Sequence, residues 1–268
     1  MQDRPLPSFN LITRHIEGND PIHIYLIADL HYGAIEFLRN EWAAFCKRVM
    51  ADDKAYIITA GDMINNATRS SISDVFRETA SPGTQKYWLA EQLEPFIKKK
   101  KILCMTDGNH ERRSEKDADL NPMFDVAMQL NCPDIYRADL AFLKLQFGNI
   151  KGDGEHNPTY VIAVTHGAGG GALTGSSVNK SEKTAAYFDG IDVLVTAHTH
   201  KGHISKPAKY VVNKHNNTVK YSTTTVIGCT SWLEWGGYAM RKLMPPATVA
   251  DPQQLILLGN KKEVRTAW

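Results

Sequence analysis

Cysteine is scarce in this chain, and none of it is spaced to hold a metal. Cys46, Cys104, Cys132 and Cys229 lie far apart with no Cys-x-x-Cys, which argues against a structural zinc site and a disulfide framework. No apolar run approaches the roughly 18 residues of a membrane span. The opening residues, Met1-Gln-Asp-Arg-Pro-Leu-Pro7, lack the basic and apolar regions of a secretory signal. These absences make the reducing cytoplasm the expected compartment and exclude a membrane partner. An excess of one charge is missing too: 31 Lys and Arg face 29 Asp and Glu. The pI of about 8.2 falls short of the value above about 9 that would by itself suggest nucleic-acid binding. A polynucleotide substrate would require positive charge gathered locally. No internal repeat or long low-complexity linker divides the 268 residues, so residues 1–268 read as a single domain with a substantial core.

What the chain does have is a series of short, β-branched apolar runs that stop where polar residues begin. His23–Ala28 runs into Asp29, Ala55–Ala60 into Gly61-Asp62, and Ile102–Thr106 leads to Gly108-Asn109-His110. Tyr160–Thr165 ends at His166, and Val193–Thr196 approaches His198. Such runs read as buried strands. Phe37, Leu38, Trp42, Phe45, Cys46, Val49 and Met50 recur at helical spacing between the first two, and Thr84–Lys100 reads as a second helix. The alternation predicts α/β architecture with a mostly parallel centre, and the strand C-terminal ends as the binding crevice. Tyr210–Tyr221 reads as a hairpin turning near Asn216-Asn217, followed by a β-rich stretch from Thr223 to Ile227. These fit a second, more antiparallel sheet, with residues 202–268 completing it and adding a C-terminal wrap around Met244-Pro-Pro and Asp251-Pro.

Five fragments carry the chemistry: Asp29-Leu-His31, Gly61-Asp62, Gly108-Asn109-His110-Glu111, Thr165-His166 and His198-Thr-His200. They offer carboxylate, imidazole and amide-oxygen ligands for two adjacent metal ions, with one histidine over for proton transfer. Singly they mean little, because composition alone yields roughly 0.6 Asp-x-His and roughly 0.4 His-x-His matches by chance. The full ordered set is what chance does not supply. Mixed imidazole and oxygen donors suit Mn, Fe, Zn or Ni better than Ca or Mg.

In this order and spacing the fragments resemble the calcineurin-like metallophosphoesterase superfamily, over about Asp29 to His200. The resemblance implies a four-layer α/β/β/α sandwich, with two mixed sheets face to face and helices outside. It implies an enzyme hydrolysing phosphate esters with two divalent transition-metal ions, manganese foremost. Asp29, His31, Asp62 and His200 would hold one ion; Asp62 would bridge to a second, completed by Asn109, His166 and His198. A metal-bridging hydroxide would attack phosphorus, with His110, Asp62 and His31 at the reacting centre and His110 as general acid. One position departs from the pattern: Ala197 stands where the family usually has glycine.

Each residue also has a plainer reading. Asp29 and Asp62 suit helix caps, a lone His166 suits a packed core, and His203 is an alternative to His200. Glu111 reads as a structural hydrogen-bond acceptor. His15, His23, His156 and His215 fit no fragment. Asn65, Arg112 and Arg113 are candidate substrate contacts, although the arginines suit salt bridges with Glu115 equally well. Gly167-Ala-Gly-Gly-Gly171 would allow close backbone approach to a ligand, but lacks the lysine of a Walker A loop. Lys98–Lys101 suits a helix C-terminus. Trp232, Trp235 and Tyr238 suit either packing or base stacking.

Gly61-Asp62-Met-Ile-Asn65-Asn-Ala lacks the second Asp and the Arg of the Ser/Thr protein phosphatase stretch Gly-Asp-x-x-Asp-Arg-Gly. The expected activity is therefore phosphodiester hydrolysis of nuclease or nucleotide type, with a phosphomonoesterase as the alternative. A metal-binding scaffold without catalysis is a third reading, disfavoured because His110 and every expected ligand are present. The expected partner is a phosphate-ester substrate, a nucleic acid or nucleotide among them. The oligomeric state is not legible.

Overall fold

The computed structural model describes residues 11–71, 75–148, 157–171 and 173–268. The opening residues 1–10 and His156 lie outside them. The described chain begins with strands β1 (Ile12–Ile16) and β2 (Ile22–Ile27), helix α1 (Arg39–Ala51) and strand β3 (Ala55–Ala60). Helix α2 (Pro82–Lys98), strand β4 (Ile102–Thr106), and helices α3 (Arg112–Ala118) and α4 (Pro122–Gln129) follow. Next come β5 (Tyr136–Arg137), β6 (Leu140–Phe147), β7 (Thr159–Thr165), α5 (Thr174–Ala185) and β8 (Val193–Thr196). The rest comprises β9 (His203–Ser205), β10 (Ala208–Asn213), β11 (Thr218–Thr223) and β12 (Thr225–Gly228). Helix α6 (Gly237–Arg241), β13 (Gln254–Leu257) and β14 (Val264–Ala267) close it.

Two six-stranded mixed sheets result, ordered β14-β13-β2-β3-β4-β5 and β1-β6-β7-β8-β12-β9. In the first, β2 to β5 are parallel and β13 and β14 extend the sheet antiparallel beyond β2. In the second, β7, β8 and β12 are parallel, flanked by antiparallel β6 and β9. Side-chain parity separates the layers. Tyr160, Ile162 and Val164 of β7 and Val193 and Val195 of β8 join the main core. The alternate residues Ala163 and Leu194 join a smaller cluster with Ala185 of α5, as period-two alternation requires. On the first sheet Tyr25 meets Phe45 of α1 edge to face at 5.5 Å, so its neighbours Ile24 and Leu26 point to the opposite face. The architecture is thus an α/β/β/α sandwich.

The expected strands and the first two helices lie where their patterns place them, but the C-terminal third differs. The β10–β11 hairpin pairs only with itself, as a separate two-stranded sheet. Residues 202–268 are divided: β9 and β12 finish the second sheet, whereas β13 and β14 belong to the first. Tyr160 secures this crossing. Its hydroxyl donates to Leu258 O at 2.6 Å and accepts from Glu263 N at 2.9 Å.

Local chemistry explains the helix bounds. Ser81 caps α2 by accepting from Thr84 N, with Pro82 in the first turn. In the lysine run, Lys101 is buried, and its Nζ donates to Asp52 O and Ala55 O at 2.5 and 3.0 Å. It ties down the turn between α1 and β3. Among the described residues no helix is long and apolar enough to cross a membrane.

Candidate metal centre

Five loops, each leaving the C-terminal end of a parallel strand, converge at one edge of the sandwich. β2, β3 and β4 of the first sheet deliver Asp29 and His31, Asp62, and Asn109 and His110. β7 and β8 of the second deliver His166, and His198 and His200. The backbone turns sharply here: Asp29, His31, Asp62, His198 and His200 have φ of 51°, 49°, 51°, 71° and 57°. A non-glycine residue in this left-handed region costs about 1 kcal/mol or more, so the surrounding structure must hold it. Backbone bonds do so: Asp29 N donates to Gly61 O, His31 N to Asp62 O, and Trp232 N to Asp29 O, at 2.9–3.1 Å. Gly61 and Gly108 pack back to back. A Cβ on Gly108 would lie 2.0 Å from Asp62 Oδ1, and one on Gly61 would lie 2.4 Å from Gly108 N.

The side chains form overlapping groups. Asp29, His31 and His200 make one: His200 Nε2 is 3.3 Å from Asp29 Oδ1 and 3.2 Å from His31 Nε2. Asp62, His166 and His198 make another: His166 Nε2 is 3.2 Å from Asp62 Oδ2 and 3.3 Å from His198 Nδ1. Asn109 Oδ1 joins the latter, 3.1 Å from His166 Nε2 and 2.6 Å from His198 Nδ1. Asp62 faces both groups, since its Oδ2 is also 3.7 Å from His31 Nε2. A third grouping unites His31, Asp62 and His110. His203 is elsewhere: its ring packs on Gly228 and its Nδ1 sits beside Lys201 O.

These residues fit divalent cations on several grounds. Asp29 Oδ1 is buried with no hydrogen-bond partner, which is costly for a carboxylate unless a cation meets it. Imidazole nitrogens crowd within 3.2–3.3 Å of each other in a setting that favours positive charge. His166 donates from Nδ1 to Ala60 O at 2.8 Å, which turns Nε2 toward the centre as the nitrogen that would bind once its proton is displaced, an arrangement usual for metal-binding histidine.

The electrostatics are those of packed opposite charges. Burial would raise Asp62, but His110 and His166 outweigh it and hold the carboxyl well below its usual range. Asp29 is likewise lowered, its burial overcome by His200 and His31. For His166, Asp62 and Asp29 overcome burial and push the imidazole up to about 10. His198 goes down, through burial and the His166 charge. His110 falls well below its usual value, chiefly by burial, then by His31 and Arg113 despite Asp62.

Around this centre lies a shell of which the motif revealed only Glu111, read above as a structural hydrogen-bond acceptor. Glu111, buried, accepts four backbone N–H bonds: Oε2 from Asp62 N and Gly108 N, Oε1 from Met63 N and Ile64 N. Burial and the charges of Asp62 and Asp107 push it up to about 7, against those donors. The Asn66 side-chain amide donates to His110 O at 2.7 Å, and its backbone N–H donates to Gln85 Oε1. Gln85 in turn donates to Glu78 Oε2. The signal for Gln85 was its place one turn before Leu89 on the face of α2 that buries Leu89, Leu93 and Phe96, where it is itself fully buried.

The three candidate substrate contacts are engaged by the protein itself. Arg112 pairs with Asp139 and donates to Ala138 O. Arg113 donates to Asn65 O at 2.9 Å and to His110 Nε2 at 2.8 Å. Asn65 is buried, and its side chain donates to Glu78. The arginines border an open cleft of about 480 Å³ beside Asn109. Trp232 is core, edge-on to Trp42 at 5.3 Å, whereas Trp235 and Tyr238 are exposed.

A model of the calcineurin-like phosphoesterase family matches residues 22–202. The DNA polymerase II small subunit of Thermoplasma acidophilum is 27% identical over 158 residues, 56% of this chain and 29% of that protein. This chain therefore spans under a third of that relative's length. Two solved structures align at low similarity. A conserved uncharacterised protein of Streptococcus pneumoniae TIGR4, described as a predicted phosphoesterase, gives a TM-score of 0.36 at 9% identity, over 92% of this chain and 97% of the other. Nuclease MPE of Pseudomonas putida gives 0.34 at 13% identity, over 91% and 87%.

Proposed function

The chain belongs to the calcineurin-like phosphoesterase family; from that premise we propose that it hydrolyses phosphate esters and that its substrates are phosphodiesters. The observation that carries this reading is the set of seven donor side chains at one edge of the sandwich, with Asp62 common to both groups. Asp29, His31, Asp62 and His200 would hold one cation, and Asp62, Asn109, His166 and His198 a second. Manganese suits the mixed imidazole, carboxylate and amide donors, with iron, zinc and nickel as alternatives. When bound, such a pair generates a nucleophile from water near neutral pH and offsets charge on the phosphoryl oxygens.

The protein's own groups supply the rest. Asn65 O accepts from His110 Nδ1 at 2.8 Å, which aims Nε2 toward the centre and makes it the atom that would protonate the departing oxygen. Arg113 donates to that nitrogen here and, with burial, keeps it unprotonated, so acid catalysis requires the guanidinium to give way and Nε2 to take up a proton as substrate enters. The stretch Gly61-Asp62-Met-Ile-Asn65-Asn-Ala, without the second Asp and the Arg of the Ser/Thr protein phosphatases, favours the diester, and the likeness to a DNA polymerase subunit supports nucleic acid or nucleotide as its source.

The test compares bis(4-nitrophenyl) phosphate with 4-nitrophenyl phosphate on manganese-loaded protein. Faster turnover of the diester is expected. Clear preference for the monoester would reject the reading.

A further inference from the structure

None of the 29 acidic residues lies between Val193 and Leu233, whereas Lys201, Lys206, Lys209, Lys214 and Lys220 all do. The remaining basic residues are outnumbered by acidic ones, so the positive charge of the chain is concentrated here. This segment forms one continuous ribbon. His203 of β9 pairs with Gly228 at the metal end of the second sheet, and Ser205 pairs with Val226 farther back. The ribbon then passes Pro207, whose carbonyl accepts from Thr224 N, and continues as β10 and β11. It leaves the body at the end of the sheet opposite the metal ligands. From His203 to Asn213 the path is about 33 Å at strand rise. Lys201 stands at its metal end, Lys206 at the joint, Lys209 and Lys220 along the arm, and Lys214 at the tip.

The arm's two faces differ. Tyr210 opposes Tyr221 and Val212 opposes Val219, so these four share one face. The tyrosine rings meet at 5.7 Å, yet they are 75% and 65% exposed, and the valines 72% and 61%. Lys209 and Lys220 lie on the other face. Nothing in the described chain covers the apolar side, although its strand chemistry is that of a buried element.

We propose that the β10–β11 arm binds single-stranded polynucleotide, stacking bases on Tyr210 and Tyr221 of one face while the backbone, passing round the edge of the two-stranded ribbon, meets Lys209 and Lys220 of the other and follows Lys214, Lys206 and Lys201 between the tip and the metal centre. The inference rests on the phosphodiester reading and narrows it to polymers that reach from centre to arm. Charge complementarity selects the occupant. A second copy of this chain packed through the tyrosine face would leave these lysines without an acidic partner, since the same segment carries none, whereas a phosphate backbone supplies one. Duplex nucleic acid hides the base faces that exposed tyrosines stack on, whereas a single strand offers them. The exposed ion pair of Lys209 with Asp189 is of a kind worth about 0–1 kcal/mol, so it yields readily to a phosphate.

The experiment uses metal-loaded protein and a labelled phosphorothioate oligothymidylate of about 30 nucleotides, longer than the 4–16 covered by one single-strand fold. Tyr210→Ala and Tyr221→Ala should each weaken its binding by about fivefold or more. Replacing Lys206, Lys209, Lys214 and Lys220 by Gln should lower the slope of log affinity against log salt by about 2–3. Bis(4-nitrophenyl) phosphate, too small to touch the arm, should turn over at the wild-type rate in every variant. Unchanged oligonucleotide affinity in these variants would overturn the proposal. So would equal wild-type affinity for a duplex of the same length, or a dimer that becomes a monomer when the arm is shortened to a tight turn. If wild-type protein fails on bis(4-nitrophenyl) phosphate, the diester reading falls, and oligonucleotide binding still decides the arm.

Discussion

Glu111 Oε2 accepts the amide proton of Asp62 at 2.9 Å, while Asp62 Oδ1 accepts that of His110 at 2.8 Å. The carboxylate shared by both groups of donors is therefore set by a residue that belongs to neither. Glu111→Ala would leave four buried N–H groups without their acceptor, at about 1–3 kcal/mol for each one left unsatisfied. We expect a drop in the urea midpoint corresponding to several kcal/mol, with Glu111→Gln intermediate because one oxygen remains. A midpoint within experimental error of wild type would show that the staple is unimportant.

Asp62→Asn removes the charge common to the two groups. Metal content measured after dialysis against manganese should fall at both positions, not one. Loss of a single equivalent would mean that Asp62 serves one ion only.

His110→Asn should behave differently. Both metals should stay, while turnover of diesters with poor leaving groups slows about 10²–10⁴-fold, the range of general acid catalysis. Activated nitrophenyl esters should be less affected. An emptied metal position in this variant would show that His110 is a ligand.

Metal affinity should rise with pH. In the metal-free protein Asp62 and Asp29 push His166 up to about 10, and Asp29 raises His200 too. Below those values the imidazoles keep protons that a cation must expel, so binding weakens as pH falls, by about tenfold per unit for each proton displaced. Calorimetric titration with manganese at about pH 6 and about pH 8, in buffers of different ionisation enthalpy, measures both affinity and proton release. Equal affinity at the two pH values would contradict the assignment.

Tyr160→Phe keeps the ring against Phe147 but removes the hydroxyl that joins β7 to the C-terminal strands. Destabilisation of about 1–3 kcal/mol is expected, with diesterase activity per folded molecule unchanged. A loss of activity without loss of stability would instead link the seam to the metal centre.

Much of this arrangement was legible because strand and function coincide. Ala55–Ala60 is apolar and β-branched up to the residue where it must stop, and Gly61-Asp62 follows. The sandwich implied by the resemblance that such fragments carry is the one observed. β6 was legible and passed over: Leu140–Phe147 alternates in burial along its whole length. β13 and β14 were not, because each is only four residues long and β13's partner, β2, lies more than 200 positions earlier. No local pattern encodes that pairing. The hairpin at Tyr210–Tyr221 misled differently: its alternation implies a sheet face, but only tertiary structure tells whether anything lies against that face. The arginines show the same gap, since adjacency to His110 in sequence did not reveal that Arg113 turns back onto it.

Neither half of the sandwich carries a complete set of donors. The first sheet brings Asp29, His31, Asp62 and Asn109; the second brings His166, His198 and His200. Cations seated there would act as rivets through two plates, resisting shear between them. A slip of one ångström along the seam would spoil coordination while each plate kept its own ladder of bonds, so catalysis should fail on heating before the fold does.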